Sequence, residues 1–269
     1  MPPPVRKPTM KPLRGRAREA GQSIIEFVII APILLFMCLG ITQFVLLYQA
    51  KATLDSAALE AAREGAVNHA TLHSLQVGLA RGLAPLYARA STPEGVVAAR
   101  SIALQVVQQH VNIEVINPTP VQLQEFGQNR YDPATDATVL EIPNELLRYR
   151  ANEIGPESGT NIQDANLLKI RVHYCYDMYV PFVNRVLYYA INAIGDFAQD
   201  GIMPLDPGDA NQDPYGSPKQ PDYLCRTRLQ DGSSTGRWPI AIESEAMVRM
   251  QSAYRGETGQ TIPMPGAKR

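Results

Sequence analysis

The stretch GQSIIEFVIIAPILLFMCLGITQFVLLY, Gly21 to Tyr48, sets how the rest of the chain is read. From Ile24 to Tyr48 the only formal charge is Glu26. A helix needs about 20 predominantly apolar residues to cross the hydrocarbon layer, so this run is long enough to span a bilayer. Ahead of it the leader carries six basic residues, Arg6, Lys7, Lys11, Arg14, Arg16 and Arg18, against one acid, Glu19. Behind it the nearest basic residues are Lys51 and Arg63. Positive charge beside a span stays on the cytoplasmic side, which predicts a cytoplasmic leader and an exported remainder on a single-pass anchor in the inner membrane.

Glu26 stands out within that run. A carboxylate at the centre of a membrane helix costs about 2.5 to 3.5 kcal/mol, less near the interface, and marks a functional position by default. Glu26 is the third residue of the span, so an acid reaching back to the headgroups explains it equally well at this level. Gly21 closes the basic leader, and cleavage behind it would make Gln22 the first residue of the mature chain and Glu26 the fifth. The basic leader, Gly21, Ser23, Glu26-Phe27, Pro32 and the Leu-rich remainder form one set with two later segments. These run from Leu54-Asp55-Ser56-Ala57-Ala58 to Ala61-Ala62-Arg63-Glu64-Gly65-Ala66. The set resembles the type IV prepilin signal, and more closely the TadE-like pseudopilins of tight-adherence (Flp-type) pili.

That resemblance implies a membrane prepilin peptidase cutting between Gly21 and Gln22. It also implies assembly roles for Glu26, Phe27 and Pro32, with other pilin-like subunits and the pilus inner-membrane platform as partners. The new amine at Gln22 would offer Glu26 an opposite charge in a low-dielectric layer, on a neighbouring subunit or along its own helix. Such a pair selects register more than it adds stability. Two rivals remain at this level: a single-pass membrane-anchored binding protein whose leader is never cut, and an exported enzyme.

A chain of 269 residues has room for the span and one modest domain. Its net charge of -1 hides an asymmetry, because the leader holds six of 25 basic residues and one of 26 acidic ones. The remainder carries 19 basic against 25 acidic residues, about minus six. An acidic exterior argues against nucleic acid, whose binding rests on Lys and Arg neutralising phosphates. An ordinary secretory signal is also disfavoured: the apolar run is too long, and no small-x-small site follows between Gln43 and Ala50. Of three cysteines, Cys38 lies within the span, while Cys175 and Cys225 lie in the exported part, where either one disulfide or two free thiols fit.

The expected organisation is a leader over 1–21, a membrane helix with an extension over 22–70, and an α+β domain over 71–269. Pro32 removes one helix hydrogen bond and crowds the carbonyl of Val28, so a local loosening is expected there. Past Tyr48 the helix formers continue without a breaker to about Asn68, with Leu54, Ala58, Ala61, Ala62 and Gly65 on a thin apolar strip. Such a face admits another helix closely, from its own domain or from a partner subunit. A second helix is predicted from Thr71 to about Pro85, and a third from the cap Thr92 to about Gln109. Alternation then predicts a strand through Val111, Ile113 and Val115, stopped by Asn117-Pro118. A short helix at Val121 to Phe126 and a brief strand at Ala137 to Ile142 follow. The clearest strand is Leu167 to Met178, with Leu168, Ile170, Val172, Tyr174 and Tyr176 facing in and Lys169, Arg171, His173, Cys175 and Asp177 facing out. Pro181 to Ile194 reads as an apolar helix, 195–237 as loop, and Ile240 to Gln251 as a last strand. Helices first and strands later predict helices on one face of an antiparallel sheet.

Catalytic and metal signals are weak. Asp209, Asn211 and Asp213 are spaced like a calcium loop, but Pro214 replaces the required glycine and Gln220 the bidentate Glu. His69 and His73 have zinc-pair spacing without a third ligand, and His110 and His173 lack a Ser or Cys to activate. The expectation is no enzyme, no cofactor, no metal site and no small-molecule substrate.

Overall fold

The computed structural model describes residues 20–133, 136–150, 152–190, 225 and 238–256, with side chains from Ile24 onward. The basic leader before Ala20, the Asp209 to Asp213 segment and most of 191–237 lie outside the described residues. The chain is α+β: a long N-terminal apolar helix, then helices and small antiparallel sheets.

Helix α1 runs unbroken from Ala20 to Val67. At 1.5 Å per residue its 48 residues make a rod about 70 Å long. Pro32 lies inside it without ending it. Hydroxyls in the rod satisfy themselves locally: Thr42 Oγ1 donates to the Cys38 carbonyl at 3.0 Å, and Thr53 Oγ1 to that of Gln49 at 2.8 Å.

The reversal into α2 (Leu72–Tyr87) uses His69 and Ala70 at φ of 59° and 55°. The Ala70 amide closes the turn on the Gly65 carbonyl at 2.8 Å. Thr71 then caps α2 by accepting from the Ser74 amide. Two glycines on α2 set how closely it approaches α1. A Cβ on Gly78 would lie 2.8 Å from the Ala61 Cα, and one on Gly82 would overlap the Ala57 Cα still more severely. The narrow Ala face of α1, open to two kinds of occupant by sequence, is therefore filled by the chain's own α2. Pro85 does not stop α2, which continues to Tyr87, because Leu86 and Tyr87 pack on the core and the Tyr87 hydroxyl meets that of Tyr174 at 2.6 Å.

Helix α3 (Pro93–His110) begins behind the cap Thr92. It leads into β1 (Val111–Asn117). Helix α4 (Pro120–Phe126) starts with a reciprocal capping box: Gln122 N–H donates to Thr119 Oγ1, and the Thr119 amide to Gln122 Oε1 at 2.7 Å. Strands β2 (Gln128–Asp132) and β3 (Ala137–Glu141) form a two-stranded ribbon. Sequence alternation does not mark β2, four of whose five residues are exposed; pairing with β3 is what makes it a strand.

Strands β4 (Leu167–Met178) and β5 (Trp238–Arg249) complete a sheet of order β1-β4-β5, antiparallel throughout. Val111 faces Tyr174 across β1 and β4, and Ile170 faces Ala246 across β4 and β5. The inner face packs on α1, α2 and α3 through Leu54, Leu75, Leu79, Leu83, Val107, Leu168, Ile170 and Val172. The outer face carries a charge ladder in which Arg171 bridges Glu243 at 2.8 Å and Glu245 at 2.6 Å, and Lys169 reaches Glu245 at 2.8 Å.

Three expectations need correction. In β4 the in-and-out alternation holds as far as Tyr174, but Cys175 and Asp177, expected to face water, are buried. The second face is closed there because Cys175 is bonded to Cys225, Cα to Cα 5.5 Å, bringing a residue 50 positions away over the strand. Strand β5 starts at Trp238 and stops at Arg249, short of the expected Gln251. Beyond it the backbone changes acceptors, with Met250 N–H donating to the Asn166 carbonyl and those of Gln251 and Ser252 to Ala66. Of the helix expected from Pro181 to Ile194, 183–190 is helical, Pro181 and Phe182 form a turn ahead of it, with Phe182 at φ of 67°, and 191–194 lie outside the described residues.

Candidate assembly interface on the N-terminal helix

Two lengths of α1 differ sharply in cover. From Ile24 to Thr42 no position is buried. Ile24, Phe27, Ile30, Leu34 and Ile41 all keep more than half of their surface open, as a span in lipid would. From Gln43 onward a buried stripe begins, through Ala50, Leu54, Ala57, Ala58, Ala61, Ala62 and Ala66. The change falls within the apolar run and not at its end.

Gln43 marks the border. Its side chain is fully buried, and Oε1 accepts the Val180 amide at 2.9 Å. A primary amide among apolar residues is tolerated because it answers a backbone donor that would otherwise be buried unpaired. The 183–190 helix follows that contact, with Val183 and Tyr188 turned to the core and Asn184 Nδ2 donating to the Met178 carbonyl.

The site residues expected from sequence fall into two places. Gly21 and Gln22 lie in the first turn of α1, and Glu26, Phe27 and Pro32 are exposed along the same rod over about two turns. Cys175 of β4 and Cys225 are bonded to each other, and Cys38 is a free thiol exposed on the rod. Among the described residues, none buries the Glu26 to Pro32 surface.

Residues 21–63 match the family model described as TadE-like protein. The matched segment starts at Gly21, includes the whole uncovered rod, and continues into the Ala-rich face against α2. The match suggests involvement in a tight-adherence pilus, and the apolar helix that carries it is long and apolar enough to cross a membrane. No curated protein and no solved structure matches the chain. The TadE-like segment is thus the part that carries the functional argument, and the α2-to-β5 part is read from its own residues.

One polar cavity of about 290 Å³ opens at the far end of α1, lined by His69, Arg130, Asp132, Glu141, Glu145 and Arg255 among others. Arg255 bridges Asp132 at 2.6 Å and Glu141 at 3.2 Å, and both acids are buried. Arg130 pairs with Glu145 at 2.5 Å and holds that carboxyl below its usual range. The network ties the β2–β3 ribbon to the segment after β5, since Ile142 and Tyr254 bridge beside it. It offers paired charges, and the Tyr131 hydroxyl at its rim donates to Asp136 Oδ1 at 2.6 Å. Among the described residues no group of His, Cys, Asp and Glu converges as a metal site.

Sequence reasoning missed Gln43, Gly78 and Gly82, and the Arg255 network. For Gln43 the signal was present, an amide inside an apolar run, but its partner lies 137 residues away.

Proposed function

We propose that the chain is a minor, pseudopilin-like subunit for the assembly or initiation of a tight-adherence pilus. It inserts with its basic leader in the cytoplasm and its α2-to-β5 part in the periplasm, and a prepilin peptidase trims it between Gly21 and Gln22. Its partners are other pilin-like subunits and the inner-membrane platform, engaged through the rod. The observation that carries this reading is the family match beginning at Gly21, over a helix whose Ile24-to-Thr42 length has no buried position among the described residues. The ammonium freed at Gln22 supplies a positive charge four residues from Glu26, the distance at which side chains on a helix meet. In a low-dielectric layer that pair sets the register of neighbouring rods.

The deciding measurement is the mature N-terminus of the membrane-extracted protein, by intact mass or N-terminal sequencing, from cells with and without the peptidase. A chain beginning at Gln22 only where the peptidase is present supports the reading. A chain that keeps its arginine-rich head in both would leave a single-pass, membrane-anchored binding protein in its place.

A further inference from the structure

A second apolar surface lies beside the end of the rod. Phe182, Val186 and Tyr189 are 78, 51 and 56% exposed; Val186 and Tyr189, three apart, share the outward face of the 183–190 helix, and Phe182 is the residue just ahead of it. Tyr179, 68% exposed, precedes them, and its ring packs edge-on to Tyr176. Phe182 holds φ of 67°, which a bulky side chain rarely adopts. Arg185 stands among them, its guanidinium 5.9 Å from the Tyr189 ring centroid and 5.6 Å from that of Trp238.

The level of this surface follows from Gln43. Ile24 through Gln43 is 20 residues, about 30 Å of helix, the thickness of a hydrocarbon core. If the span begins at Ile24, its other end is at Gln43, and the Gln43–Val180 hydrogen bond fixes the Tyr179-to-Tyr189 segment at that height. Exposed Phe44 and Tyr48 continue the same zone on α1. Tyrosine and tryptophan gather at this depth because their rings are apolar and their polar tips reach water, and an arginine there meets lipid phosphate.

We infer that Tyr179, Phe182, Val186 and Tyr189 seat in the headgroup and upper acyl region of the leaflet facing the globular part, with Arg185 donating to lipid phosphate. The occupant is the bilayer that α1 crosses. This rests on the membrane-spanning reading of α1, and the chain then holds the bilayer at two places and fixes the tilt of its globular part against the membrane surface. An apolar face continuous with a span, at the depth where the span ends, is accounted for by lipid.

Single-tryptophan variants of the full chain test it. Trp238 is the only tryptophan, so Trp238→Phe clears the background. Onto it are placed Phe182→Trp, Tyr189→Trp, Ile33→Trp in the rod, and Tyr131→Trp on β2, beyond the far end of α1. Each is reconstituted in phosphatidylcholine–phosphatidylglycerol vesicles brominated near the headgroup or near the chain terminus. The expected result is that shallow bromine lowers the Phe182→Trp and Tyr189→Trp emission about two-fold and more than deep bromine does. Ile33→Trp responds most to deep bromine, and Tyr131→Trp to neither. Quenching of Ile33→Trp with Phe182→Trp and Tyr189→Trp both as silent as Tyr131→Trp would overturn the seating while leaving the span. Failure of Ile33→Trp itself would remove the span and the seating together. A Phe182→Trp emission that responds to protein-to-lipid ratio and not to bromine would assign the surface to a second copy of the chain and overturn the proposal.

Discussion

The side-chain oxygen of Gln43 accepts the backbone amide of Val180 at 2.9 Å, joining the apolar rod to a segment 137 residues later. The bond is buried, and it sits at the first covered position of α1. Gln43→Leu keeps the volume and removes the acceptor, leaving the Val180 amide buried and unpaired at a cost of about 1 to 3 kcal/mol, offset in part because it also removes Nε2, which is buried without a partner among the described residues. Amide hydrogen exchange in detergent or vesicles should show Val180 and its neighbours losing protection while the β4 amides keep theirs. Unchanged protection at Val180 would show that the bond holds nothing.

Gly82 lies where a Cβ would run into the backbone of Ala57, so Gly82→Ala forces α2 away from α1. Overpacking of this kind costs about 1 to 3 kcal/mol and outweighs the gain in helix propensity. Gly40, with no atom within 4 Å of its Cβ position, is the control. Chemical denaturation should place Gly82→Ala below the parent and Gly40→Ala level with it or above.

The Cys175–Cys225 bond closes a loop of 50 residues. Loop-closure entropy predicts that paired Cys175→Ala and Cys225→Ala substitutions lower stability by about 4 kcal/mol. The denaturation midpoint of the parent should fall equally on reduction, and that of the double variant should not respond to reductant.

His173 sits opposite Glu243 on the sheet and is held below its ordinary pKa mainly by burial, with Arg171 adding to that and Glu243, Glu114 and Glu245 opposing it. A histidine whose folded pKa is depressed is neutral in the native state, so the unfolded chain takes up the proton first as pH falls. Stability should therefore decline as pH drops through about 6.5, the unfolded value, and level off below the folded pKa. His173→Gln should flatten that window. The separate loss expected on protonating Glu245, whose carboxyl Lys169 and Arg171 hold below its usual range, lies at lower pH and should survive the substitution.

If the rod assembles through Glu26, then Glu26→Ala removes a charge from the lipid-facing helix and should insert as well as the parent or better. Pilus yield on cells should nevertheless fall to the level of a strain lacking the protein, while membrane fractionation shows the chain in place. Normal pili from that variant would dismiss the role given to the carboxylate.

Where a local signal fixes an element, the sequence is readable. Thr71, Thr92 and Thr119 each cap the helix that follows, and the alternation of Leu168, Ile170 and Val172 places β4 from Leu167 to Met178. The rod was legible because lipid imposes a long, nearly chargeless run. The remainder depends on partners distant along the chain. Gln128 to Asp132 has no apolar alternation and becomes a strand only against Ala137 to Glu141. Cys175 reads as a solvent-facing position until Cys225 covers it. The Ala57–Ala61 face reads as open to any helix until Gly78 and Gly82 bring α2 onto it.

Because α1 passes from the naked rod into the buried stripe at Gln43 without a linker, the anchor and the domain's spine are one mechanical member. A load on the rod is delivered straight to Leu54, Ala57 and Ala61 and, through the Ala66 carbonyl, to the residues just past β5. Any soluble fragment cut at the apparent end of the apolar run, after Tyr48, discards Gln43 and Leu47 and so begins inside the core it is meant to preserve.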